Sequence, residues 1–452
     1  MIPAIEPSPR HFDHRSDAST GIFLVEKEER WKVYQDDNIN PLELGWRSLE
    51  QRASGVTIFQ TYDWCRAWIS AADAAGTPEE VRILTIWAGQ DIILLWPFAI
   101  RRFGRARILH TLGEPASQYS DVLVCPQYNS AQLIDKAWGY VRSWDDIDVV
   151  ELRRVRKSAA LAKFGGLQAY RVPGSNAEAP CIDFSKLEDC DPSGARSSRS
   201  RNSLRRHERH LSQHGAVSFS LISDVAHQRL AVAEVAILKR AWMQDKAMVS
   251  AGYAHPANAN FIDRLASEGL LCGAQLCVGS DTAAIELGMQ RAGVYWSLIQ
   301  SYNLRFAKHA PGRLLFRDFL AACPALGIRH FDFLAPAHKH KTELSTGAEP
   351  IADYIVPKTI HGRMVAAYLG RLRPALKDFY GLFPVGARRL AARIIRCVGI
   401  AKLMANKVKY QMTRADPRAA LRRLSTWNGD FLDWMLVVSC GWLVVLLLVT
   451  SR

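Results

Sequence analysis

Hydrophobic positions along the chain recur at two spacings, and the changes between them divide it into elements. Short apolar or alternating runs between turn residues predict strands. Apolar residues returning every third or fourth position predict helices. In the first half, Gly21–Tyr34 reads as a strand and Pro41–Arg52 as a helix. Gln60–Ala75 puts Trp64, Ala67, Trp68 and Ala71 on one helical face, with Asp63 near its start. Val81–Trp87 and Asp91–Ile100 flank an Ala88–Gly89–Gln90 turn as a hairpin. Strands over Arg107–Leu112 and Ser120–Cys125, a helix over Ala131–Ser143 and a buried strand over Ile147–Leu152 follow.

Asp191–Ser200 is polar and linker-like. Beyond it come a basic helix, Arg201–Gly215, closed by its glycine, a strand over Val217–Ile222 and a long helix over Val225–Met243. Leu270–Val278, Thr282–Gln290 and Gly293–Ser301 make a three-strand meander. A helix over Gly312–Pro324 and strands over Arg329–Leu334 and Ile351–Val356 complete the pattern. The first half repeats this order more roughly. The expectation is an α/β (α+β) protein with two lobes, residues 21–185 and 216–357. Each would have a mixed sheet flanked by helices, with the linker and basic helix, 186–215, between them.

Charge changes the picture at the C-terminal end. The chain has 452 residues and a formal net charge of +14. His361–Arg423 holds fifteen Lys and Arg against Asp378 and Asp416, which leaves the first 360 residues nearly neutral. A smaller basic cluster, Arg196–His210, has six Arg and one Glu. After the basic stem, 358–430, Trp434–Thr450 is free of charge. With Phe431, Leu432 and Asp433 it is long enough for a membrane span of about 30 Å. The expectation is one transmembrane helix, 431–450. Cations upstream of it place the lobes in the cytoplasm, at the inner (cytoplasmic) membrane. The apolar stripe of Ala387–Lys409 suits an anionic membrane surface or packing on the lobes. Residues 1–20 lack an apolar signal core and read as a disordered lead. The nine Cys show no zinc spacing, and no nucleic-acid-binding module accompanies the Arg-rich runs.

Several motifs, in order, resemble one family. They are Phe59–Trp68, the hairpin ending in Trp96–Pro97 before Arg101–Arg102, Leu112–Gly113–Glu114 and Tyr119–Ser120–Asp121. The Arg-rich Arg201–Gly215, Pro311–Leu315 and Phe331–Lys341 (FDFLAPAHKHK) continue the series. Together, over about residues 20–380, the chain resembles the CelD-like branch of GNAT acyltransferases. The resemblance implies tandem GNAT-like lobes, as in FemAB-type transferases, and N-acyl transfer in envelope or exopolysaccharide synthesis. The donor would be an acyl-CoA or acyl-carrier-protein thioester. Its acceptor would be an amino sugar or an amino lipid such as a sphingoid base. The sequence departs from the family's pattern at His338, His340 and Leu344 and retains Lys341. Those departures keep open a non-catalytic role in a polysaccharide-synthesis complex.

Acyl transfer from a thioester to an amine needs the donor phosphates held, the amine deprotonated, the oxyanion stabilised and the thiolate protonated. Arg305, Gly312, Arg313 and Leu314 surround a Pro-Gly helix start that suits phosphate, or are simply a helix start on a solvated loop. Asp332 should face away from Phe331 and Phe333 and find a partner in Lys341 or a histidine. Asp332 and Lys341 are candidate catalytic residues, with Asp332 orienting the loop or binding the amine, or are a structural ion pair. His338 and His340 are candidate proton acceptors. Glu286 and Tyr302 are candidate acid–base groups, or sheet-face residues. Tyr119 and Asp121 are candidates for the acceptor, as are Arg205 and Arg206 on the basic helix. His207, His210 and His214 share that helix's face, but its arginines repel a cation and no metal is assigned.

Overall fold

Strand pairing joins the two halves of the chain into one sheet. The computed structural model describes residues 31–175, 177–187, 198–248, 250–384 and 386–388. The first half contributes β1 (Lys32–Asp36), α1 (Glu43–Arg52), α2 (Tyr62–Ala74), β2 (Glu80–Ala88), β3 (Asp91–Phe103), β4 (Ala106–Thr111), β5 (Leu123–Val124), α3 (Ser130–Ser143), β6 (Val149–Arg156) and β7 (Ala177–Asp183). The second contributes α4 (Ser198–Leu211), β8 (Val217–Ile222), α5 (Val225–Asp245), α6 (Ala251–Ala254), α7 (Asn258–Ser267), β9 (Cys272–Val278), β10 (Asp281–Arg291) and β11 (Val294–Tyr302). It continues through α8 (Pro311–Ala322), β12 (His330–Asp332), α9 (Lys339–Leu344), β13 (Gly347–Pro357), α10 (Ile360–Ala367) and α11 (Arg373–Leu382).

Among the described residues the sheet has 13 strands in the order β1-β2-β3-β4-β6-β13-β7-β12-β11-β10-β9-β8, with β5 on β3. It is mixed. β4/β6 and β11/β12 are parallel, and the other pairs are antiparallel. The strand expected to end the second lobe, β13, pairs with β6 of the first, and β7 lies between β13 and β12. The lobes therefore exchange strands. β13 covers an edge of β6 that would otherwise present unpaired amides and carbonyls.

The cores explain the helices. Thr61 caps α2 by accepting from Trp64 N–H at 3.4 Å. The expected apolar face of α2 is buried, and Trp64 and Trp68 meet Phe261 of α7 edge-on at 4.8 and 5.2 Å between ring centroids. Each such ring hides on the order of 200 Å², an upper estimate of about 5 kcal/mol at ~25 cal/mol/Å². One core thus runs across both lobes beneath α2, α5 and α7. Alternate residues of β9, Ala274, Leu276 and Val278, face a second core with Leu314, Phe316 and Phe319 of α8. A third, smaller core lies beneath α10.

Three differences from the sequence pattern have local causes. The strand expected over Ser120–Cys125 shrinks to β5, because Ser120 and Asp121 bond to β6 and to the 160–161 loop instead. β7 was hidden by Pro180, which has no N–H for a ladder. The proline is tolerated because pairing with β12 ends beside it, where Pro180 O accepts from Phe333 N–H at 3.0 Å. α7 is short and broken from α5, so its period was too brief to read. The lead 1–20, the apolar stripe beyond Arg388 and the span 431–450 lie outside the described residues. Among those described, no helix is long and apolar enough to cross a membrane.

Candidate active site

Beyond Trp296 the sheet opens. β11 pairs with β12 over Val294–Trp296 and then runs to Tyr302 with, among the described residues, β10 alone beside it. An extra residue, Leu298, makes a bulge where the opening begins. Bulges re-aim side chains and end pairing.

A lysine ties each lip of this gap. Lys239 of α5 donates to Gln300 O on β11 at 3.0 Å, with its ammonium over the Trp242 and Tyr253 rings. Lys341 of α9 donates to Phe333 O at 2.7 Å and to Leu334 O at 3.0 Å, just past β12. Carbonyls that lose a neighbouring strand need donors, and an ammonium carries three. Burial lowers both lysines, Lys341 to about 8 despite the pull of Glu286 and Asp332.

Glu286 sits on β10 opposite Gln300 and is fully buried. Burial pushes its carboxyl up to about 8, while Ser297, Lys341, Tyr295 and Lys239 pull the other way. Its Oε1 accepts from Tyr295 O–H at 3.4 Å, and its Oε2 has no hydrogen-bond partner among the described residues. Tyr302 is half-buried two positions farther along β11.

Asp332 turns away from the Phe331 and Phe333 rings, which lie in the core beneath α8. It does not pair with Lys341 or a histidine. Both of its oxygens accept from Tyr119 O–H at 3.0 Å, and Oδ1 also accepts from Leu334 N–H at 2.8 Å. Lys341 is drawn to the carbonyls instead, which leaves Asp332 to a neutral donor from the first lobe. Burial raises both Asp332 and Tyr119. His338 and His340 stand at the surface with stacked rings 5.9 Å apart. Desolvation, then Lys341 and His338, lower His340 to about 4, so its imidazole is neutral at neutral pH.

α8 begins beside this gap. Ala310 is left-handed (φ 49°), and Pro311 follows as the first helical residue. Arg313 and Leu314 N–H turn back to Ala310 O at 3.0 and 3.3 Å. Gly312 N–H finds no acceptor among the described residues, and a Cβ there would meet nothing within 4 Å. An outward amide, the helix dipole and open space fit a phosphate. Arg313 pairs with Glu343 at 3.3 Å and so ties the first turn of α8 to α9, which carries Lys341. The helix start and the gap are thereby one assembly.

Other residues singled out in the sequence serve elsewhere. Leu314 is fully buried, so its side chain packs the core. Arg305 turns onto Asp281 at 2.5 Å and lies against Phe306. Asp121 is held by Val122, Leu161 and Ala160 N–H at 2.9, 3.2 and 3.4 Å, which leaves it as a loop clamp. Arg205 and Arg206 are exposed on α4. His214 Nε2 comes within 3.2 Å of His309 Nε2, and no group able to hold a metal forms among the described residues. Lys239 was missed. In the sequence it is one cation among several on α5, and nothing in the helical period sets it apart.

Residues 198–342 match the family model described as an acetyltransferase (GNAT) domain. The chain is an enzyme, a GNAT-type N-acyltransferase. No curated protein matches it. The crystal structure of FemX is similar at 9% identity with a TM-score of 0.52, over 74% of this chain and 99% of that one. A tandem GNAT protein from the clavulanic acid biosynthesis pathway aligns at 10% identity and a TM-score of 0.42, over 73% and 99%. The likeness to FemX shows a shared mixed α/β, GNAT-like fold.

Proposed function

We propose that this chain is a membrane-tethered N-acyltransferase of the CelD-like branch. It moves an acyl group from an acyl-CoA or acyl-carrier thioester to an amine on a cell-envelope polysaccharide precursor. The observation that carries this reading is the gap between β11 and β12, with the first turn of α8 joined to it through Arg313 and Glu343. An extended donor arm would run along the unpaired side of Ser297–Tyr302 as an added strand. Its phosphates would meet Gly312 N–H and the dipole of α8.

The acceptor nitrogen attacks the thioester carbonyl, and the collapse of the tetrahedral adduct forms the amide and expels the thiolate. In this reading the exposed His340, whose imidazole is neutral at neutral pH, would take the amine's proton. Lys341, lowered to about 8, holds a proton that it can give to the thiolate. Asp332 and Tyr119 hold the two lobes in register around the gap. Exposed Arg205 and Arg206 suit an anionic precursor. The uncharged 434–450 run would keep the enzyme at the leaflet where such precursors lie.

Purified full chain, offered acyl-CoA and acyl-carrier thioesters with amino-sugar and amino-lipid acceptors, should release free thiol in an acceptor-dependent way. Release that no acceptor stimulates, across the whole series, overturns the reading. Turnover with amino lipids alone would move the acceptor to that class.

A further inference from the structure

The stem after β13 has two apolar faces, and the fold uses one of them. Val365 and Leu369 are buried in the core over β4, β6 and β13, and the Tyr368 ring stacks on Phe103 at 5.0 Å. Gly362 makes this approach close enough that a Cβ would lie 2.1 Å from Asp148 O. On the other side Ile360 is 80% and Met364 63% exposed, and Leu372, Leu376 and Phe379 are exposed as well.

These five do not share a face on a regular α-helix. At about 100° per residue they would spread over about 160°. Tyr368–Leu372 is a π turn, which sets the following residues back by about 90°. With that offset the five fall within about 70°, opposite Gly362, Val365 and Leu369. Exposed Arg363 and Arg371 flank the stripe on one side and His361 on the other. The π turn therefore builds a continuous apolar strip on the outer face of the stem, flanked by Arg363 and Arg371 with Asp378 on the same side. His361–Arg423 carries fifteen Lys and Arg, and the chain then runs into the uncharged Trp434–Thr450.

We propose that α10 and α11 lie flat on an anionic lipid surface through Ile360, Met364, Leu372, Leu376 and Phe379. Apolar side chains enter the acyl boundary while Arg363 and Arg371 reach lipid phosphates, the arrangement of an interfacial helix. Because Gly362, Val365 and Leu369 are packed on the sheet, docking would fix which side of the body faces the leaflet. This inference rests on the membrane tether in the reading above and is independent of acyl transfer.

The test uses the full chain with a photoreactive benzophenone amino acid replacing Leu376, or replacing exposed Leu230 on α5 as a control. It is added to phosphatidylglycerol–phosphatidylcholine vesicles. Ultraviolet light should give phospholipid adducts at position 376 severalfold above those at position 230, and phosphatidylcholine alone should abolish the excess. Adducts from position 376 to the chain's own residues beyond Arg388, adducts to a second copy, no excess over position 230, or equal yield without anionic lipid would each overturn it. Adducts without thiol release would sink the enzymatic reading alone. Thiol release without adducts would sink this one.

Discussion

Glu286→Gln should gain stability relative to wild type as pH rises from mild acid to alkaline. The carboxyl is fully buried on β10 and is pushed from 4.5 to about 8 by that burial. A raised carboxyl binds its proton more tightly in the folded state. Its contribution is complete below 4.5 and declines as pH rises to about 8, because the unfolded chain releases the proton first. A difference of about 3.5 units at ~1.36 kcal/mol each costs wild type about 5 kcal/mol across that window. Gln cannot ionise and escapes the loss. Its extra N–H, if unpaired, costs about 1–3 kcal/mol at every pH, which offsets the curve without changing its shape. Lys341, lowered to about 8, acts in the opposite sense and above that pH, so the window from 5 to 8 isolates Glu286. Urea unfolding of both proteins at several pH values across this range provides the measurement. The variant's advantage should grow by several kcal/mol. Parallel stability curves would refute the burial argument.

Further outcomes follow from the same geometry. Lys341→Met leaves Phe333 O and Leu334 O without their donor and should cost about 2–4 kcal/mol in urea unfolding, with transfer lost in the thiol-release assay. Gly362→Ala forces a Cβ against Asp148 O and should lower stability by about 1–3 kcal/mol, read as a drop in Tm. Gly312→Asp fits open space at the start of α8, so unfolding should be unchanged. Its carboxylate would repel donor phosphates and should raise KM for the donor about tenfold with a smaller effect on kcat.

Local order was legible in the sequence, and partnership was not. The faces of α2 and the meander β9–β10–β11 are set by hydrogen bonds and side-chain periods a few residues long. The same alternation turned Asp332 away from Phe331 and Phe333. Segment charge likewise separated a nearly neutral body from a basic stem. Long-range closure decided the rest. Tyr119 lies 213 residues from the Asp332 it holds, and β13 inserts between β6 and β7. Lys239 and Lys341 became the lips of the gap only because β11 and β12 part there and leave carbonyls to satisfy. Periodicity says which way a side chain faces along its own element. What it meets depends on where the other elements come to rest, and only the packed sheet determined that.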